Sequence, residues 1–323
     1  MKRIAVALLL LMLMSCTSID VTEVQTVVAT STIVLTNTAL PSTPIPSVTP
    51  STVPTITVTP EPPCDPFRAE FCVIEGQFLL QRPIQPPAND LTDLFYGYGS
   101  TAKGTRDPHH GVEFANASGT PVHAAAEGTV VFAGPDQEAV YAPWGNFYGN
   151  LVVLEHQDKL FTLYAHLARI DVTHGQSVFA GDKIGEVGST GSAIGSHLHF
   201  EVRLGDAEDY FATQNPELWL VPAREENGNL FGTLMIIVMD KNGKLATSAN
   251  FTIGHYLDPA QAPTKIFYAA SYSPDLLTGE ENTALSGLSA GQYRIVVETN
   301  GQMLERWVEV KSGKLTQVVF VAK

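Results

Sequence analysis

A chain of 323 residues, 44% hydrophobic and 16% charged, has the length for two domains and enough apolar side chains to fill their cores. Its 19 Lys and Arg against 33 Asp and Glu give a net charge of −14. That balance excludes a nucleic-acid partner held by clustered basic charge, and a cationic grip on anionic membranes.

Taken in chain order, Lys2 and Arg3 precede an apolar run from Ile4 to Met14. The run is too short to span a bilayer and reads as the n- and h-regions of an export signal. It ends in Leu13-Met14-Ser15-Cys16, which resembles the bacterial lipobox, whose Cys becomes the lipidated first residue. That resemblance implies an envelope protein anchored to the outer face of the membrane through Cys16. An ordinary cleaved signal with an incidental cysteine is the alternative, and either one places the product outside the cytoplasm. Cys64 and Cys72 are then an even pair in an oxidising place, separated by a short segment, which suits a local disulfide.

Residues 1–16 are thus assigned to the signal. From 17 to 63 Thr, Ser and Pro dominate, no Lys or Arg occurs, and no apolar period survives, as in a solvated disordered stalk. From 64 to 222 short apolar segments alternate with glycine turns: Gly128 to Gly134, Asn150 to Glu155, Leu160 to His166, Lys183 to Val187 and His197 to Arg203. Helical periodicity is scarce, so an all-β domain of antiparallel hairpins is expected. A second β unit runs from 228 to 323, with hairpin-type turns at Asp240-Lys241-Asn242-Gly243, Asn300-Gly301 and Lys311-Ser312-Gly313-Lys314. Tyr293, Ile295 and Val297 alternate with Arg294 and Glu298 as in a half-buried strand, and a small β-sandwich is expected. Its Leu288-Ser289-Ala290-Gly291-Gln292-Tyr293 stretch is similar to a strand of prealbumin-like, carboxypeptidase-regulatory-type modules. No aromatic stripe or metal motif is visible in it, which makes it a spacer or docking module.

The chemistry concentrates in two histidine blocks. In Asp107-Pro108-His109-His110-Gly111-Val112-Glu113-Phe114 an extended backbone points His109, Gly111 and Glu113 one way and His110, Val112 and Phe114 the other. Gly111 leaves space between an imidazole and a carboxylate. In Gly195-Ser196-His197-Leu198-His199-Phe200-Glu201 the residues His197 and His199 share a face, and Leu198 and Phe200 turn into the core. On adjacent strands the two blocks gather three imidazoles and a carboxylate around one point, a donor set that suits Zn²⁺. Taken alone, His-x-His reads as a strand with its polar residues outside. A slipped register would make His110 a rival to His109. His123, His156, His174 and His255 have no partner motif and are read as exposed or locally hydrogen-bonded.

These blocks lie in an ordered series: Gly119-Thr120-Pro121-Val122-His123-Ala124, Glu127-Gly128-Thr129-Val130, Tyr164-Ala165-His166-Leu167, Gly175-Gln176-Ser177-Val178, Gly181-Asp182-Lys183-Ile184-Gly185, Gly188-Ser189-Thr190-Gly191 and Asn215-Pro216. The series resembles the LytM/lysostaphin-type zinc endopeptidases, metallopeptidase family twenty-three, over roughly residues 78–220. The resemblance implies the duplicated-hybrid-motif β fold and one Zn²⁺ per chain. It implies His109, Glu113 and His199 as metal ligands, with His166 and His197 as the non-ligand catalytic pair. Glu113 stands where the family usually has Asp and reaches one methylene further. Some relatives place a tyrosine upstream of the first ligand, for which Tyr96 and Tyr98 are the candidates. Glu201 is read either as an acceptor orienting a ligand imidazole or as a plain salt-bridge residue.

The implied function is a surface-tethered endopeptidase on the stem peptides or cross-bridges of peptidoglycan, acting as a monomer with no nucleic-acid partner. The alternatives are a non-catalytic LytM-like regulator that activates a wall hydrolase, and an adhesive lipoprotein whose sandwich does the binding.

Overall fold

The computed structural model describes residues 63–277 and 281–323, so the expectations for the signal, Cys16 and the stalk to Pro62 lie outside the described residues. The first half contributes β1 (Cys72–Ile74), β2 (Val112–Ala115), β3 (Pro121–His123), β4 (Gly128–Pro135), β5 (Asn150–Glu155), β6 (Leu160–Ala165), β7 (Arg169–Ile170), β8 (Ser177–Val178), β9 (Lys183–Glu186), β10 (His197–Leu204) and β11 (Thr213–Gln214). The second half adds β12 (Gly232–Met239), β13 (Asn250–Tyr256), β14 (Lys265–Ala270), β15 (Thr283–Leu288), β16 (Gly291–Thr299), β17 (Gln302–Val310) and β18 (Leu315–Val321). The fold is all-β, as the glycine-punctuated apolar segments predict, and a small sandwich follows the first β domain, whose sheets bear out the β fold that the family resemblance implies.

Seven strands make the main sheet in the order β11-β10-β6-β5-β4-β8, with β2 also paired to β10. Every pairing in it is antiparallel. A smaller sheet, β3-β9-β7, packs on one face. Between them lies a core of Val112, Phe114, Val152, Leu154, Tyr164, Leu198, Phe200 and Val202 with Val122 and Ile184. The alternation on β10 is as read: Leu198, Phe200 and Val202 enter this core, and His197, His199, Glu201 and Arg203 take the opposite face. That face is not solvent-exposed, because all seven residues from His197 to Arg203 are buried.

Two four-stranded sheets, β1-β18-β12-β15 and β14-β13-β16-β17, form the sandwich around Leu234, Ile236, Phe251, Ile253, Tyr293, Ile295, Val297, Val308 and Phe320. Asn300 and Gly301, both at positive φ, close the β16–β17 hairpin. The Lys311–Lys314 turn differs from expectation. It carries the chain from β17 in one sheet to β18 in the other, where β18 lies parallel to β12, so it is a sheet-to-sheet crossing and no hairpin. A turn sequence fixes the local chain reversal, and the packing faces of the flanking strands decide which sheet receives the return. The outer face of the second sheet does carry aromatics. Tyr256 and Trp307 stand with ring centroids 4.8 Å apart, and Tyr268 on β14, opposite Thr252, is 72% exposed. They lie on three strands, so no stripe shows along the chain.

Segment 64–222 does not begin in the peptidase-like sheets. Cys64 and Cys72 are joined by a disulfide, Cα atoms 5.7 Å apart, and β1 at once pairs with β18 of the sandwich.

Candidate metal centre

Strand β10 sits between β6 on one side and β2 with β11 on the other. Its register sets His199 directly opposite Glu113 and His197 opposite Ala115, which brings the two histidine blocks together. Gly111 enters this pairing so closely that a Cβ would overlap the Phe200 carbonyl oxygen and stand 3.0 Å from His199 Cε1. The glycine is therefore a packing requirement at the root of the site. Gly111→Ala is expected to cost about 1–3 kcal/mol by overpacking. Thermal denaturation of the purified variant checks this, and an unchanged midpoint would contradict it.

Each of the four histidines of the site has one ring nitrogen fixed. His109 Nδ1–H donates to the Tyr96 carbonyl at 2.8 Å, with the Tyr96 ring stacked 4.2 Å from its own. His199 Nε2–H donates to Glu201 at 2.9 Å. His166 Nδ1–H donates to the Thr190 carbonyl at 2.9 Å and His197 Nδ1–H to the Gly195 carbonyl at 3.2 Å. A neutral imidazole has one proton, so the opposite nitrogens are lone pairs. Of these, His109 Nε2 and His199 Nδ1 face each other at 3.1 Å. Glu113 Oε1 stands 3.7 Å from His109 Nε2 and 3.6 Å from His197 Nε2. His109, Glu113 and His199 each offer one such atom, all within 4.8 Å of one another.

Burial, ahead of the neighbouring His199 ring, pushes His109 well below the ordinary imidazole range. Burial likewise lowers His166 to about 3, helped by its His199 and His197 neighbours, and lowers His197. Burial thus favours the neutral form of His109, His166 and His197. His166 also holds φ at 62°, a conformation unfavourable to most L side chains, at the end of β6.

Below the imidazoles lies a closed ionic network that sequence reading only half anticipated. Glu201 is an imidazole acceptor and a salt-bridge residue at once: Arg203 Nε and Nη2 donate to its Oε2 at 2.9 and 2.7 Å. Tyr148 donates its hydroxyl to Glu201 Oε1. Burial alone would raise the Glu201 carboxyl, but Arg203 and the His199 hydrogen bond outweigh it and hold the acid far below its usual range. Arg203 Nη1 donates to Ala207 O at 2.7 Å, and Nη2, shared with Glu201, also lies 2.9 Å from Tyr141 O and 2.8 Å from the Tyr148 hydroxyl. The signal for Arg203 was present in the alternation His197-x-His199-x-Glu201-x-Arg203. Tyr148 carries none, since it comes from a distant loop.

The donors open on a groove of about 660 Å³, with Phe95, Trp144 and Ile194 on its rim and Arg106 among its lining residues. Of the two upstream tyrosines, Tyr96 lines the groove and Tyr98 is buried, its hydroxyl donating to the Thr213 carbonyl at 2.9 Å. His110 turns from the donor set, stacking on Tyr210 and bonding its carbonyl at 2.8 Å. His156 bridges Glu127 O and Thr162 Oγ1, and His255 sits in the sandwich against Thr264.

His109 from the loop before β2, Glu113 on β2 and His199 on β10 make a donor set of the kind that holds a divalent metal. Residues 107–210 match the family model described as Peptidase family M23, and this stretch of the chain is an M23 peptidase domain. The chain is 41% identical over 96 residues to DD-carboxypeptidase/endopeptidase Mpg of Neisseria meningitidis serogroup B, covering 30% of this chain and 20% of that one. It is 41% identical over 95 residues to peptidoglycan DD-endopeptidase ShyA of Vibrio cholerae, covering 29% and 20%. It thus spans about a fifth of the length of these curated relatives. Among solved structures, the catalytic domain of lysostaphin from Staphylococcus simulans is 35% identical, covers 38% of this chain and 86% of that one, and has a TM-score of 0.33.

Proposed function

We propose that this chain is a zinc-dependent endopeptidase that hydrolyses peptide bonds in cell-wall peptidoglycan, anchored outside the membrane by lipid on Cys16. The proposed units are the signal 1–16, a stalk 17–63, the peptidase unit 64–222 and the sandwich 228–323. The proposed ligands are His109, Glu113 and His199, with His166 and His197 as the catalytic pair.

The observation that carries this reading is the convergence of His109 Nε2, His199 Nδ1 and a Glu113 carboxylate oxygen, the two nitrogens 3.1 Å apart and all three atoms within 4.8 Å of one another. Donors bonded at about 2.0–2.2 Å in a tetrahedron lie about 3.3–3.6 Å apart, and the 3.1 Å and 3.7 Å separations around His109 Nε2 bracket that span. The extra methylene of Glu113 therefore leaves its carboxylate within reach. Two nitrogens and one oxygen suit zinc, and the fixed opposite nitrogens supply the supporting shell such ligands use.

Zinc held there supplies Lewis acidity, polarising the scissile carbonyl and easing deprotonation of water near neutral pH. The chain supplies the rest. His166 and His197 each present Nε2 as a free base, one taking the proton of the attacking water and returning it to the leaving amine. The other, accepting through its own Nε2, holds the attacking water in place. Their second nitrogens, bound to backbone carbonyls, prevent the rings from rotating away. The name of ShyA, a peptidoglycan DD-endopeptidase, supports a peptidoglycan substrate.

Elemental analysis of the purified chain offered zinc should find one metal per molecule, and incubation with peptidoglycan should release soluble peptides until a chelator is added. A chain that retains no zinc overturns the proposal. Retained zinc without peptide release, at matched protein and time, favours the non-catalytic regulator.

A further inference from the structure

The sandwich makes more than a covalent link to the peptidase unit. Between β14 and β15 the segment 271–277 leaves the sandwich, and its Tyr272 and Leu276 are built into the peptidase core. The Tyr272 ring meets Tyr98 edge-on at 4.9 Å. It lies so close over Gly99 that a Cβ there would stand 2.5 Å from Tyr272 Cδ1. The Tyr272 hydroxyl is fixed by Asn215 Nδ2 at 2.7 Å. Beside it Ser273 N–H donates to the Gly99 carbonyl at 3.1 Å.

Gly99 and Ser100 hold His109 in turn. Gly99 N–H donates to the His109 carbonyl at 2.7 Å, and His109 N–H donates to the Ser100 carbonyl at 2.9 Å. Three residues upstream, Tyr96 carries the carbonyl that fixes His109 Nδ1 and the ring stacked on its imidazole. One hydrogen-bonded path thus runs from the sandwich to the first proposed ligand: Ser273, Gly99, His109. The surrounding seam is polar and paired. Buried Glu217 accepts from Thr92 Oγ1 at 2.8 Å on the peptidase side and from Ser286 N–H on β15. A seam of matched buried groups fixes one orientation, where a loose tether would allow many.

We propose that the sandwich is a working part of the peptidase site, with Tyr272 and Ser273 as positioning residues that set His109 and Tyr96 through the Gly99–Ser100 backbone. This rests on the zinc reading of His109, Glu113 and His199. Because coupling is reciprocal, zinc held by His109 must in turn steady the segment that supports it.

Hydrogen–deuterium exchange on the full wild-type chain, with and without zinc, tests this directly. Zinc should slow exchange in peptides covering 96–113 and also in those covering 271–277, the latter on the order of tenfold, within the ordinary range of coupling between sites. A competing-chelator titration adds a mutational arm. Tyr272→Ala should weaken zinc binding by about 10–100-fold, as loss of supporting contacts does, and Tyr272→Phe, which keeps the ring over Gly99, should restore it. Zinc protection at 96–113 with none at 271–277 overturns the proposal, whether or not Tyr272→Ala folds. So does a folded Tyr272→Ala chain with wild-type zinc affinity. No zinc uptake by the wild type, and no protection anywhere, removes the metal reading and this proposal with it.

Discussion

Replacing His109 or His199 with Ala should strip zinc from the chain and abolish hydrolysis together, whereas His166→Ala or His197→Ala should keep stoichiometric zinc and lose only hydrolysis. The division follows from where the free nitrogens stand. His109 Nε2 and His199 Nδ1 face each other at 3.1 Å, and removing either leaves a nitrogen and a carboxylate to hold the ion. His166 and His197 contribute lone pairs at the side of that point, with ring centroids 4.9 Å apart. Losing one of them removes proton transfer, worth typically about 10²–10⁴-fold in rate. His110→Ala supplies the control. Its ring stacks on Tyr210 away from the donors, so zinc content and rate should both stay near wild type. Metal analysis of the five variants, alongside peptide release from peptidoglycan, reads the pattern. Stoichiometric zinc in His109→Ala, or its loss in His110→Ala, would mean the ligand register is wrong by one residue.

Period-two alternation was sufficient to foresee that Leu198 and Phe200 enter the core while His197 and His199 share the other face. It could not foresee that this other face is roofed. Whether polar residues look into water or into a closed network depends on loops far away in sequence, here those bearing Tyr141, Tyr148 and Ala207. The same limit applies to Tyr96 and Tyr98. Two residues apart, they fall on opposite sides of the groove wall because β11 takes one hydroxyl and the His109 ring takes the other's face. Gly111 was legible in part: the space it leaves was expected, but its neighbour turned out to be the Phe200 carbonyl as well as an imidazole. The sandwich shows where local rules end. Asn300-Gly301 dictates its own hairpin, and Lys311–Lys314 only reverses the chain, leaving the parallel β12–β18 pairing to decide the sheet.

The second large effect is expected beneath the ligands, at Glu201 and Arg203. Both side chains are fully buried, and Glu201→Ala leaves the guanidinium without its counter-charge, a change worth about 3–5 kcal/mol of stability. The pH dependence has a definite sign. The folded carboxyl is held below its ordinary value, so its contribution is complete above the unfolded pKa of about 4.3 and is lost as pH falls through the folded value. Wild type should therefore lose melting temperature below about pH 4, and Glu201→Ala should lack that component of the decline. Replacing both members with Met separates structure from chemistry, because a buried pair exchanged for apolar groups of similar volume often costs little. The double variant should recover much of the stability, yet His199 Nε2–H has lost its acceptor. Zinc affinity should then stay about 10–100-fold below wild type. If a stable double variant bound zinc as tightly as wild type, Glu201 would be a packing element for Arg203 and Tyr148, with no part in aiming His199 Nδ1.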